Sequence, residues 1–127
     1  MPATQSSAIL FARLHVMAPA ARVILIASVR SSTPAADVAE TIAGAVQAAD
    51  QPVRLVDVGG EADEFPGYTI IRGRGILDDP QTVLSSAAAD AVVLVAEKEV
   101  TTRTDLEAAR LQIESEGGSL VGAVLKP

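Results

Sequence analysis

The stretch ILIASVRSSTPAADVAETIAGAV, residues 24–46, decides how this chain is read. It opens on an aliphatic run without charge, the pattern of a strand buried on both faces. Small and polar residues follow, Arg30-Ser31-Ser32-Thr33, and then Pro34. Beyond the proline, Val38, Ile42 and Val46 recur four apart, backed by Ala39, Ala45 and Ala49, as on the buried side of a helix. Thr33 before Pro34 predicts an N-cap with proline at the first helical position, so the helix is expected over 34–49. Buried strand, tight turn and helix are the layout of a loop that aims backbone N–H groups at a phosphate. Such loops use glycines for close backbone approach and a lysine for charge, and this turn has neither.

Outward from this stretch the pattern alternates. VRLVDV (53–58), YTIIRG (68–73), AVVLVAE (91–97) and SLVGAVLK (119–126) read as further strands. Asp79-Pro80 predicts the start of a helix over 80–89, packed by Val83, Leu84 and Ala87. Thr102 with Asp105 is a capping-box variant opening a helix over 103–116, in which Leu106, Ala109 and Ile113 face inward and Gly117-Gly118 stops the helix. SAILFARLHVMA (7–18) reads as a short helix with Leu10, Leu14 and Met17 on one face, ended by Pro19. The alternation predicts an α/β, three-layer fold around a mostly parallel five-stranded sheet, in a single domain over 1–127 with its α/β core at 22–126. The link from 58 to 68 is too short for a full helical crossover. It implies either a compact loop crossing or a strand at the sheet edge. A ligand site would lie at the carboxyl ends of the strands, near Ser28–Arg30, Asp57–Gly60, Arg72–Arg74 and Glu97–Glu99.

Composition narrows the function classes. The 127 residues are 49% hydrophobic but only 2% aromatic, so the core must be aliphatic. A net charge of −6 argues against nucleic-acid partners and anionic membrane surfaces, which need a basic face. With no cysteine there is neither a disulfide framework nor a thiolate metal site, and no metal or cofactor is expected. No apolar run reaches the ~18 residues of a membrane span, so no direct membrane insertion is expected and a cytoplasmic location is compatible. His15 lacks a second ligand. Glu61, Asp63 and Glu64 read as a solvated acidic loop, and Glu97, Lys98 and Glu99 as a self-compensating strand end. Asp79 reads as an N-cap and Asp78 as a loop residue. Ser31 and Ser32 have no neighbouring base pattern for hydrolase chemistry.

The order of the pieces resembles the deviant-Walker P-loop ATPases of the MinD/ParA class, and most of all the cytoplasmic domain of bacterial tyrosine kinases and chain-length regulators of polysaccharide export. The likeness is carried by RVILIASV with a helix before it, by VRLVDV, by YTIIRGRGILDDP, and by ADAVVLVAEKEVTTRTDLEAARLQIESEGGSLVGAVLK, which matches the family's C-terminal third. The resemblance implies a P-loop NTPase-like, reduced fold, in which Ser28 holds the place of the first loop serine. Arg30 keeps an unspecified loop position, and Ser31, Ser32, Thr33 and Pro34 replace Pro-Gly-x-Gly. Ala35 stands for the catalytic lysine and Ala36 for the Mg²⁺-binding hydroxyl. Asp57 matches the first aspartate of the second Walker motif, Gly59 replaces its second, and Arg72 replaces the Walker B aspartate. Tyr68, the only tyrosine, begins a strand, and the family's terminal tyrosine cluster is missing. The family's first-helix oligomerisation signature survives at most as Arg13, and Lys126-Pro127 indicate no adenine pocket.

Pro34 deletes an N–H, Ala35 removes the cation, and Ala36 and Arg72 remove the metal ligand and its support. Phosphoryl transfer rests on positioning and electrostatics, so the expectation is a pseudo-ATPase or pseudokinase domain that binds a protein partner or itself. A membrane protein of polysaccharide export is one such partner, with docking expected on Leu10, Phe11, Leu14 and Met17. The alternative is a module binding a nucleotide or other phosphorylated metabolite through Arg30, Arg72 and the backbone N–H groups of Ser32 and Thr33, in a pocket lined by Arg30, Arg72 and Arg74. Set against that pocket is a simpler pairing of Arg72 with Asp57 across neighbouring strands.

Overall fold

Residues 23–28 form β1, all but the first fully buried, as the uninterrupted aliphatic run requires. The computed structural model describes residues 20–59 and 64–126. It contains β1 (Val23–Ser28), α1 (Ala36–Ala48), β2 (Val53–Asp57), β3 (Tyr68–Gly75), α2 (Pro80–Ala88), β4 (Ala91–Glu97), α3 (Arg103–Ser115) and β5 (Leu120–Lys126). The helix read over 7–18, with Leu10, Phe11, Leu14 and Met17, lies outside the described residues, as do Arg13, His15, Glu61, Asp63 and Pro127.

The five strands order as β2-β3-β1-β4-β5, and every ladder is parallel. From β1 the chain runs out to β2, returns to β3, and then crosses to β4 and β5, so β1 is the strand at which the direction of winding reverses. One face carries α1, over Ile24, Ile26, Ile70, Val93 and Val95. The other carries α2 and α3, over Leu25, Ala27, Val92, Leu94 and Ile76. Both alternatives for the short link hold together: β2 is an edge strand, and it is joined to its parallel neighbour β3 through residues 58–67, with no helix among the described part.

Most local signals act where they were read. Asp79 accepts from Gln81 N with Pro80 in the first turn, and Thr102 accepts from Asp105 N. Helix α3 ends with Gly117 at φ +82, Gly117 N bonded to Glu114 O and Gly118 N to Ile113 O, which satisfies two late carbonyls through a left-handed residue.

Three expectations are corrected. Helix α1 begins at Ala36, not Pro34, and its N-cap is Ala35 with no side-chain cap. Thr33 is instead buried, its hydroxyl 3.3 Å from Glu97 Oε2. Helix α2 does not pack through Leu84, which is 68% exposed, or through Ala87. It buries Thr82 and Ser86, one turn apart. Ser86 Oγ donates to Val83 O, and Thr82 Oγ1 accepts from Arg74 N, so both hydroxyls are satisfied inside. Strand β3 does not end at Gly73, as the reading over 68–73 expects, but continues through Arg74-Gly75, and its register with β1 shifts between Ile26 and Ser28.

Candidate functional site

The site to examine is the turn from β1 to α1, because open α/β sheets bind ligands at the carboxyl ends of their strands. Val29 and Ser28 are buried, and Thr33 N closes a turn onto Arg30 O at 3.0 Å. Strand β3 and the loop after it pin the turn: Ile76 N bonds to Ser28 O at 2.9 Å and Leu77 N to Val29 O at 3.1 Å.

The carboxylate of Asp78 meets Ser31. Its oxygens accept from Ser31 N at 3.2 and 3.1 Å, and Oδ1 accepts from Ser31 Oγ at 2.6 Å. Ser31 Oγ in turn accepts from Gly75 N at 3.0 Å. The Ser31 hydroxyl, then the Ser31 N–H and the charge of Arg30, hold the Asp78 carboxyl below the usual carboxylate range, against a smaller effect of burial. A side chain at Gly75 would collide with Ser31 N and Asp78 Oδ1, so this close approach needs glycine.

The three arginines of the sequence reading have three different surroundings. Arg30 reaches α3 and grips Asp105 with two bonds, Nε to Oδ2 at 2.8 Å and Nη2 to Oδ1 at 3.1 Å. That pairing raises the guanidinium pKa and lowers that of Asp105. Arg72 stands in register with Asp57 across β3 and β2, with Nε 2.9 Å from Asp57 Oδ1 and Nη1 3.5 Å from Glu40 Oε1 on α1. Its Nε is buried and makes no hydrogen bond, so the Asp57 contact is one of charge without alignment. Arg74 is exposed and joins no ion pair among the described residues. Lys126 Nζ bonds to Pro34 O at 3.2 Å and to Asp37 Oδ1 at 3.1 Å, tying the end of β5 to the start of α1. Partial burial acts to raise the Asp37 pKa, but Lys126 outweighs it and the net direction is down.

The space beside the turn is small. A cleft lined by Arg30, Ser32, Thr33 and Asp105 holds about 40 Å³. Ligand pockets usually run from ~300 to ~1,000 Å³, and one water occupies ~30 Å³ of liquid. A wider groove of about 710 Å³ lies on the α2 side, along β2 and β3, lined by Arg54, Val56, Phe65, Ile71 and Ala88 among others. It includes none of Arg30, Arg72 and Arg74. Among the described residues no cluster of three or more His, Cys, Asp or Glu is placed to hold a metal ion, and no helix is long and apolar enough to cross a membrane.

Sequence reasoning brought Arg72 and Asp57 together and missed Asp78, Asp105 and Gly75. The Asp105 signal was hidden by its second role: its backbone N–H completes the Thr102 cap while its side chain leaves the box for Arg30. The groove had a signal, the missing crossover helix between β2 and β3.

No protein-family model matches the chain, and no curated protein matches it. Solved structures do. The kinase domain of the Escherichia coli tyrosine kinase ETK superposes with a TM-score of 0.83 at 14% identity, covering 97% of this chain and 74% of that one. The chimerical protein CapA2B2 superposes with a TM-score of 0.74 at 15% identity, covering 96% and 80%. Likeness at such identity is likeness of fold, and the fold of this chain is the P-loop NTPase-like α/β fold of a bacterial tyrosine kinase domain.

Proposed function

We propose that this chain is a catalytically inactive pseudo-ATPase or pseudokinase domain that works as a protein-interaction or scaffolding module. The observation that carries the reading is the β1–α1 turn. Ala35 and Ala36 stand where the resemblance puts a lysine and a metal-binding hydroxyl, and the cleft beside Arg30, Ser32 and Thr33 holds only about 40 Å³. Arg30, Arg72 and Lys126 already have carboxylate partners. Tyr68, the only tyrosine, is 4% exposed beneath the Arg22 guanidinium, 4.8 Å from the ring centre, so the folded chain presents no tyrosine to phosphorylate.

The setting we propose is polysaccharide biosynthesis at the inner face of a cell envelope, in the cytoplasm and beside a membrane protein of export. Two things support it: the sequence resemblance and the fold shared with a tyrosine kinase domain. The proposed docking surface remains Leu10, Phe11, Leu14 and Met17, outside the described residues. Size-exclusion chromatography with light scattering, joined to capture from native extract, tests the interaction role. A defined oligomer or a stoichiometric complex with an export protein is expected. A strict monomer that captures nothing would leave scaffolding unsupported.

A further inference from the structure

We infer that the Asp78 carboxylate is a resident oxyanion: exposed at the surface, it occupies a receiving position on Ser31 in the β1–α1 turn and closes that position to oxyanions from solution. The donors are those an outside anion would use. Ser31 offers its backbone N–H to both carboxylate oxygens at 3.1–3.2 Å and its hydroxyl to Oδ1 at 2.6 Å. Gly75 N donates to the same hydroxyl at 3.0 Å, which fixes the hydroxyl hydrogen toward the carboxylate. Hydrogen bonds from N–H and O–H groups to an ionised oxygen are about twice as strong as neutral ones. The fourth wall is the bare Cα of Gly75, where a side chain would fill the seat. Arg30 acts on Asp78 through its charge, and Asp79 and Glu116 line the same cleft as Asp78. Arg30 is turned onto Asp105, so its attraction to Asp78 is through space, and Asp79 spends its oxygens on Gln81 N and Thr82 Oγ1.

An oxyanion seat that remains once the internal carboxylate is removed makes a distinctive prediction. In Asp78→Gly the seat is empty, and small oxyanions added from outside should refill it. The probes are inorganic phosphate, sulfate and acetate, each against chloride at equal ionic strength, with thermal unfolding as the readout. Asp78→Gly should melt below the parent chain. At an oxyanion concentration of about ten times the dissociation constant its midpoint should climb by about 3–6 °C more than the parent's. Asp78→Ala, which also vacates the seat but keeps an ordinary backbone, reports by a second route: phosphate should shift the Ser31 amide resonance in this variant and leave it unmoved in the parent. Equal oxyanion responses in Asp78→Gly and the parent would overturn the inference. Should Asp78→Gly not fold in any buffer, an unmoved Ser31 resonance in Asp78→Ala would overturn it. The inference stands apart from the proposed function, because nucleotide turnover by the parent chain would defeat that reading and leave the oxyanion comparison intact.

Discussion

Arg72 ties β3 to its neighbours by charge. It replaces the acid that the resemblance expects on this strand, and it sits across from Asp57, an acid the resemblance retains. The pair is open to water, with the Asp57 side chain 75% exposed, and its Nε contact is not a hydrogen bond. Exposed pairs contribute about 0–1 kcal/mol. Arg72→Ala is therefore expected to lower stability in urea by about 1 kcal/mol or less, with no change in the slope of the transition. The pairing was legible because both residues lie at the ends of strands read as neighbours, and the register places them opposite each other. The Ser31–Asp78 contact was not, since it joins residues 47 apart through two irregular turns and has no periodicity. The carboxylates give a pH prediction. Asp37, Asp78 and Asp105 all have folded-state pKa values below the ordinary one. A group depressed on folding contributes its stability above its unfolded pKa, near ~4, and loses it as pH falls through the folded value. The urea midpoint should hold steady from neutral pH down to about 5 and fall below about 4. A midpoint unchanged down to pH 2 would contradict these ion contacts.

Among the elements, α2 is the instructive one. Its apolar residues pointed to Val83, Leu84 and Ala87 as the packing side, yet the buried side is Thr82 and Ser86. A short helix of modest hydrophobicity follows its caps and hydroxyl bonds, not its largest side chain. Thr82→Val would leave Arg74 N without its acceptor, at a cost of about 1–3 kcal/mol. Leu84→Ala, at an exposed position, should change stability by less than about 0.5 kcal/mol. Chemical denaturation of the two variants side by side checks the assignment, and the reverse order would show that the hydrophobic pattern was right. By contrast α3 was legible end to end, because Thr102, Ala109, Ile113 and Gly117 each do the task their residue type signals. Helix α1 misled at its start. Thr33-Pro34 has the composition of a cap, but the threonine hydroxyl is drawn inward to Glu97 at the end of β4, a contact across 64 residues that no local rule contains.

In the whole molecule, the parallel α/β sheet was legible from the alternation of strands and helices, because buried parallel strands write themselves as aliphatic runs, whereas the order β2-β3-β1-β4-β5 emerges only in the fold. Function is less legible because the groups read as a possible anion site have partners distant in sequence: Ser31 meets Asp78, Arg30 meets Asp105, and Arg72 on β3 meets Asp57 and Glu40. Calorimetric titration of the full chain with ATP and ADP, with and without Mg²⁺, decides whether the container still grips a nucleotide. No saturable heat at millimolar nucleotide is predicted, in either the presence or the absence of the metal. Saturable, Mg²⁺-dependent binding with release of ADP would contradict it.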